Sequence, residues 1–217
     1  MIRSYKYILL TFVFLSGTII AQTHTGIDSK SALKLLMDGN KRYLESKATH
    51  QDQDVKRRTE VAKGQHPAAV VITCSDSRVP PEILFDQGLG DLFVIRTAGN
   101  IVDDIGLGSV EYAVEHLGVQ LVIVLGHERC GAVDAAVKGG EAEGHIENLI
   151  KAIQPAVEEA KKQTGDLLDN AVRANVRDIV KMLKTNEPIL KKLFNEKKID
   201  IVGARYDLDD GIIGILK

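Results

Sequence analysis

The chain has 217 residues, of which 44% are hydrophobic, and its formal net charge is −2. This size predicts one domain with a full-sized core, because chains divide into several domains only well above it. Acidic and basic residues are interspersed and form no basic stripe with interleaved aromatic residues, which excludes nucleic acid as an expected partner. A small neutral or anionic substrate fits this charge pattern better.

Residues 1–21 are typical of a secretory signal peptide. Arg3 and Lys6 precede an uncharged run, Tyr7 to Ile20, that has the length of a signal-peptide core and is short for a membrane span. An uncleaved membrane anchor is the alternative. We expect export, with the periplasm as the compartment, no membrane contact after cleavage, and a single domain over residues 22–217.

Helical and strand patterns alternate along the chain. Apolar residues at helical spacing predict helices, and apolar β-branched runs predict buried strands. Strand, helix and strand in succession form the crossover unit of a parallel sheet. The sequence therefore predicts an α/β fold with a mostly parallel central sheet of about four strands plus an edge strand, flanked by helices. The predicted elements are a helix capped at residue 28 or 29, helix 55–64, strand 70–74, helix 81–85, strand 92–97, helix 103–117, strand 121–127, helix 131–138, helix 146–162 interrupted near Pro155, helix 167–183, helix 188–194, strand 199–206 and edge strand 212–216.

Two of the buried strands end in side chains that bind soft metals. Cys74 ends the first strand, and His127 and Cys130 lie where the third strand turns into a helix. Ligands collect at the carboxyl ends of parallel strands, so we expect these three side chains to converge. Two cysteines and one histidine with a fourth position free are typical of catalytic zinc, and we predict one zinc ion per chain.

A disulfide between Cys74 and Cys130 is the alternative to a metal. Export leads to an oxidising compartment, and these are the only two cysteines of the chain. Against the disulfide, Asp76 and Arg78 follow Cys74 at short offsets that a covalent bridge does not require. Their spacing on an extended segment predicts a charge-assisted pair beside the metal.

The same segments resemble the paired signature of the beta-class carbonic anhydrases. That signature joins Cys74-Ser75-Asp76-Ser77-Arg78 to Gly126-His127-x-x-Cys130-Gly131. The resemblance covers residues 31–216, and the ordered set of motifs is far more specific than any single one. Three further matches are Gly64-Gln65-x-Pro67, Arg96-x-Ala98-Gly99-Asn100 and Glu111-Tyr112-Ala113.

The resemblance implies zinc-dependent, reversible hydration of carbon dioxide to bicarbonate and a proton by zinc-bound hydroxide. Arg78 would hold Asp76 off the metal in the active form. In a closed form found in some family members, the aspartate becomes the fourth zinc ligand, and bicarbonate stabilises it in a pocket that includes a tryptophan three residues before the first cysteine. Val71 stands at that position here, so we expect an open resting site.

Four further residues match the substrate pocket of the family. Gln65 corresponds to a hydrogen-bond donor to the substrate, and Phe93, Ala98 and Tyr112 correspond to the apolar wall around carbon dioxide. Core packing is the alternative role for the last three. Family sites lie at a dimer interface, so the resemblance also implies a homodimer or higher homo-oligomer in which some of these residues serve the neighbouring subunit.

Two other functions stay open on the residues alone. A hydrolase of a related linear molecule, carbonyl sulfide or carbon disulfide, would use the same metal ligands. A zinc-thiolate redox or storage protein would bind the metal without turnover. Asp76, Arg78 and Gln65 argue against storage, because storage needs neither a proton acceptor nor a substrate donor.

Overall fold

The structure is a computed structural model that describes residues 26–140 and 142–216. The predicted signal peptide lies outside the described residues. No helix in the described ranges is both long enough and apolar enough to cross a membrane. The elements are α1 (Ser29–Leu44), α2 (Val55–Val61), β1 (Ala69–Cys74), α3 (Pro81–Leu84), β2 (Leu92–Thr97), a 3₁₀ turn (Ala98–Asn100), α4 (Asp104–His116), β3 (Leu121–His127), α5 (Gly131–Lys138), α6 (Ile146–Ala160), α7 (Leu167–Thr185), α8 (Ile189–Asn195), β4 (Asp200–Tyr206) and β5 (Ile213–Ile215).

The five strands form one sheet in the order β2-β1-β3-β4-β5. β1 pairs in parallel with β2 and β3, β3 pairs in parallel with β4, and β5 lies antiparallel to β4 at the edge. This arrangement confirms the predicted α/β fold with four parallel strands and one edge strand. All residues of β1 and β3 are buried, as expected for parallel strands between layers of helices.

Neighbouring residues of the central strands face two separate cores. Val71 and Ile123 pack in the core that also includes residues of α1, α5 and α6. Val70 and Val122 pack on the opposite face, in the core that includes residues of α4 and α8. This alternation follows from the two-residue period of a strand. With both faces covered, the carboxyl ends of β1 and β3 are left to present functional side chains.

The interruption predicted near Pro155 is wrong. α6 runs from Ile146 to Ala160 with Pro155 inside it. Proline lacks a backbone N–H, so the carbonyl of Lys151 loses its helical partner. Both Lys151 and Pro155 are exposed, so water can solvate that carbonyl. The opposite face of α6 buries apolar side chains such as Ile153 and Val157, and that burial outweighs the loss of one hydrogen bond.

Asp86 ties the segment after α1 to the turn after α3. Its carboxylate is buried and accepts hydrogen bonds from the backbone N–H groups of Thr49 and His50, the Thr49 hydroxyl and the Arg42 guanidinium, with the Arg42 Nε–Asp86 Oδ2 distance at 2.6 Å. Burial alone would raise the pKa of Asp86, but these donors outweigh burial and lower the pKa to about 2. The carboxylate is therefore charged and satisfied throughout the neutral range.

We expect Asp86→Asn to lower the free energy of unfolding by about 3 kcal/mol at neutral pH, because it removes a buried charge from its donors. The folded pKa of about 2 lies below the ordinary 3.8, so the stabilisation is present above that ordinary value and is lost as pH falls toward the folded one. Urea titrations at pH 7 and pH 3 measure the difference between the two proteins, which should shrink on acidification.

The matched control is Asp38→Asn, which removes an exposed ion pair with Lys34. It should change the unfolding free energy by less than about 0.5 kcal/mol. A stability difference for Asp86→Asn that stays the same at pH 7 and pH 3 would contradict the assigned role of the Asp86 charge.

Candidate metal centre

Cys74, His127 and Cys130 meet at the carboxyl end of the sheet. β1 ends at Cys74 and the adjacent β3 ends at His127, while Cys130 is the residue that precedes α5. All three are buried, and their ligand atoms lie within 4.8 Å of one another. The two Sγ atoms are 3.9 Å apart, and both cysteines are free. The predicted convergence of these side chains is thus present in the fold.

The His127 ring is oriented for a metal by a backbone carbonyl. Nδ1 lies 2.9 Å from the carbonyl oxygen of Glu128. A carbonyl can only accept, so Nδ1 carries the proton and Nε2 presents its lone pair to the cysteines. Nε2 is buried and has no hydrogen-bond partner among the described residues. A buried, unpaired nitrogen that faces two thiols is the chemistry of a metal ligand rather than of a core histidine.

The turn between His127 and Cys130 depends on one left-handed residue. Arg129 has a φ of +50°, which reverses the chain so that Cys130 returns toward the end of β3. The Arg129 guanidinium binds the carboxylate of Asp209 through distances of 2.7 and 2.9 Å. This ion pair holds the turn from outside the cluster and offsets part of the cost of the left-handed conformation.

The electrostatics of the two thiols also fit a cation. A hydrogen bond from Cys130 is the main cause that lowers the pKa of Cys74 to about 4, with a further contribution from the N–H of Gly99, 3.3 Å from Cys74 Sγ. The same hydrogen bond raises the pKa of Cys130, and burial and the negative charge of the Cys74 thiolate raise it further. A divalent cation held by Cys74 and Cys130 would let both thiols ionise, since its charge would offset their repulsion.

Asp76 and Arg78 form the predicted pair, but not on an extended segment. Residues 75–80 leave the strand, and the Arg78 N–H donates to Asp76 Oδ1 at 2.9 Å across a turn. The guanidinium contacts both carboxylate oxygens, at 3.0 and 2.7 Å. This contact is the main cause that lowers the pKa of Asp76 to about 2. Oδ2 lies 3.8 Å from His127 Nε2, so an ionised acceptor stands at the edge of the cluster.

Arg96 is a site residue whose role the sequence pattern does not reveal, although it lies in one of the family-like motifs. Its Nε donates to the carbonyl of Cys74 at 3.0 Å, and its Nη2 donates to the carbonyl of Asp76 at 2.6 Å. Arg96 therefore fixes the backbone that carries one thiol and the carboxylate. The parallel pairing of Thr73 with Arg96 brings it there, and that pairing is a tertiary contact for which the local sequence gives no signal.

The four predicted substrate-pocket residues divide into two groups. Ala98 directly follows Thr97, which pairs with Cys74 at the cluster end of the sheet. Phe93 pairs with Val70, four residues earlier along β1 and β2, or about 13 Å from the cluster along the strands. In one subunit, only Ala98 of the four is therefore adjacent to the thiols.

Tyr112 and Gln65 belong with Phe93. Tyr112, on α4, has its ring centroid 6.4 Å from that of Phe93, and it is 48% exposed. Gln65 is exposed and precedes the amino end of β1, the end opposite Cys74. Within one chain these three residues do not reach the cluster.

The sequence and the fold match known proteins along most of the chain. The family model for carbonic anhydrase matches residues 69–213. Carbonic anhydrase 2 of Mycobacterium tuberculosis is 40% identical over 185 residues, which cover 83% of this chain and 89% of that protein. The carbonic anhydrase of Mycolicibacterium smegmatis is 39% identical over 185 residues, which cover 83% of this chain and 90% of its own.

Solved structures agree with the sequence relatives. A beta-carbonic anhydrase of Sordaria macrospora, one of two described as tetrameric, superposes with a TM-score of 0.69 at 27% identity, over 86% of this chain and 97% of that one. A Coccomyxa beta-carbonic anhydrase, solved with acetazolamide, gives a TM-score of 0.68 at 28% identity, over 85% of this chain and 86% of that one. The chain belongs to the beta-class carbonic anhydrases, and the predicted family and enzyme class are confirmed.

We predict that the active protein holds one zinc ion per chain and no disulfide. Both cysteines of the chain lie in the cluster, so a metal engages both and a disulfide would exclude it. Metal analysis, with thiol titration before and after denaturation, checks the stoichiometry. Metal removal under oxidising conditions should consume both thiols. An active protein that carries a Cys74–Cys130 disulfide would overturn the ligand assignment.

Proposed function

We propose that the chain catalyses the reversible hydration of carbon dioxide to bicarbonate and a proton, with zinc held by Cys74, His127 and Cys130. The observation that carries this proposal is the ionised Asp76, fixed by Arg78, beside a buried cysteine and histidine cluster in a chain of this family. When bound, zinc would lower the pKa of a coordinated water so that hydroxide is available near neutral pH.

The protein supplies orientation and a proton acceptor. The Glu128 carbonyl keeps the proton on His127 Nδ1, so Nε2 stays free to bind. Asp76 Oδ2 lies 3.8 Å from Nε2, near enough to the ligand cluster to accept a hydrogen bond from the reacting water and direct its lone pair toward carbon dioxide. Because both carboxylate oxygens are bound by Arg78, the carboxylate itself is held away from the ligand position.

We further propose a homo-oligomer in which Gln65, Phe93 and Tyr112 serve the site of a neighbouring subunit. Two observations support this. The relative from Sordaria macrospora is described as tetrameric, and the three residues lie away from the cluster of their own chain. β2, which carries Phe93, is an edge strand with partly exposed side chains, and unpaired edges of this kind are usually covered. Pairing of two subunits along this face would bring the aromatic residues to a second cluster.

A hydrolase of carbonyl sulfide or carbon disulfide would use the same ligands, and the geometry favours neither linear substrate over carbon dioxide. Family membership supports carbon dioxide. A zinc-thiolate storage protein is disfavoured, because Arg78, Arg96 and Asp76 form a fixed acceptor that storage does not use.

On the N-terminal sequence pattern, we also propose that the enzyme is exported to the periplasm.

Stopped-flow measurement of carbon dioxide hydration tests the proposal. The metal-replete protein should be active, a strong chelator should abolish the activity, and zinc should restore it. Asp76→Asn should lower turnover by roughly 10²–10⁴-fold and leave zinc bound, because it removes the charged proton acceptor and keeps the shape. Loss of zinc from Asp76→Asn would instead make the carboxylate a required ligand. If the zinc-loaded protein did not hydrate carbon dioxide but hydrolysed carbonyl sulfide, the result would favour the hydrolase function instead.

Asp91→Asn provides a matched control for Asp76→Asn. Asp91 is 13% exposed and pairs with Arg57 at 2.8 Å, while Asp76 is 17% exposed and pairs with Arg78 at 2.7 Å. Asp91 precedes β2 at the end of the sheet opposite the cluster. Its substitution should leave turnover per folded, assembled enzyme unchanged, so a shared loss of activity would reveal a general effect on folding or on subunit pairing.

We expect hydration to fall on acidification with the slope of a single proton and without deepening by bicarbonate. Asp76 has a pKa of about 2, so it stays ionised and paired with Arg78 between pH 5 and pH 9. Val71 stands where family members with a closed form have the tryptophan of the bicarbonate pocket. With three neutral imidazole ligands, in a different class of enzyme, zinc-bound water has a pKa of about 7. Two thiolates would offset more of the zinc charge and leave this pKa higher, so hydration activity should keep rising as the pH increases above 7. Measurement of hydration activity against pH, with and without added bicarbonate, tests this expectation. A steep, multi-proton loss deepened by bicarbonate would show that a closed site forms.

A further inference from the structure

Asn175 is a buried amide on the inner face of α7. It is 2% exposed, and its neighbours on that face, Ala171, Val172 and Val176, are apolar. The Nδ2 of Asn175 donates to the carbonyl oxygen of Gly99 at 2.8 Å. An amide placed among apolar side chains costs desolvation unless it makes such a bond. The bond therefore satisfies the buried amide, and its acceptor, Gly99, lies in the turn beside the metal centre.

Gly99 connects this amide to a metal ligand. Its own N–H donates to Cys74 Sγ at 3.3 Å. Gly99 has a φ of +68°, which favours glycine, and an added Cβ would lie 2.9 Å from Ile153 Cδ1 and 3.2 Å from the Cβ of Ala132. The residue is thus closely surrounded, with its carbonyl bound by α7 and its N–H directed at the sulfur.

α7 packs closely against the sheet next to the amide. An added Cβ on Gly126 would lie 2.5 Å from Val176 Cγ2, and one on Gly203 would lie 2.8 Å from Val176 Cγ1. Val176 therefore packs over two strand glycines, one in β3 and one in β4. Since Asn175 is the preceding residue, this packing fixes the depth at which its amide meets Gly99.

We propose that Asn175 is a positioning residue that orients the Gly99 N–H toward the Cys74 sulfur. The N–H draws electron density from the thiolate and helps to keep its remaining lone pairs directed at the metal. Partners of this kind, which contact a ligand rather than the metal, typically affect metal affinity by about 10–100-fold. This inference rests on the proposed metal centre and goes beyond the ligand set, because it adds a distant helix to the control of one ligand.

Asn175→Leu removes the donor and keeps a branched side chain, and Asn175→Ala removes it without any steric overlap. Each variant should release zinc to a competing chelator about 10-fold faster than the parent protein. In the cobalt-substituted protein, the thiolate-to-cobalt absorption band should shift to lower energy, because a sulfur without the N–H bond gives up its electron more easily. Neither measurement requires carbon dioxide turnover.

Asn170→Leu and Asn170→Ala are the matched controls. Asn170 lies on the same helix, and its amide also donates to a carbonyl, that of Thr164 at 3.0 Å, but at the surface. These variants should leave the cobalt band and the zinc release rate unchanged. A thermal melt of all four proteins separates loss of fold from loss of positioning.

The outcomes separate this inference from the proposed function. Folded Asn175 variants with an unchanged cobalt band and unchanged zinc release would overturn the positioning role while leaving the metal centre intact. If Asn175→Leu fails to fold, the Asn175→Ala protein carries the same comparison. A parent protein that binds neither zinc nor cobalt would refute the metal centre itself.

Discussion

The parallel pairing of β1 with β3 is the constraint on which the site depends. It places Thr73 beside Leu125. The residues that follow them, Cys74 in β1 and Gly126 and His127 in β3, therefore end both strands at the same edge of the sheet. The Thr73 hydroxyl donates to the Leu125 carbonyl at 2.9 Å and closes the ladder there. A shift of one residue in either strand would turn its ligand to the other face. The two cores fix this register, because each strand contributes alternate residues to both.

The Asp76–Arg78 pair contributes orientation rather than stability. The Arg78 side chain is 52% exposed, and exposed ion pairs typically add only about 0–1 kcal/mol to folding. Its two contacts nevertheless determine where the carboxylate points. Arg96 acts on the same segment through carbonyl oxygens instead. One arginine therefore sets the side chain and the other sets the backbone, and both positive charges offset the negative charge that the thiols and the carboxylate bring together.

The local parts of this architecture could be predicted from the sequence. Strand β2 was predicted at residues 92–97 and has those bounds, because a short apolar run between turn residues carries its own signal. The ligand cluster followed from two such strands ending in cysteine and histidine. The continuity of α6 through Pro155 and the roles of Arg96 and Asn175 could not be predicted. Each depends on packing or hydrogen bonds between residues far apart in the chain, which periodicity does not encode.

Three of the predicted substrate-pocket residues lie far from the metal ligands of their own chain. In a parallel sheet, residues at the amino ends of strands cannot approach ligands at the carboxyl ends of the same strands, since the strand length of about 13 Å separates them. Phe93 and Cys74 lie on neighbouring strands of one sheet, so Phe93 could serve a metal site only in a second copy of the chain. The half-exposed Tyr112 and the open edge of β2 supply a surface for that contact. In the proposed assembly, a single subunit would hold the metal ligands, and the apolar pocket would be complete only between subunits.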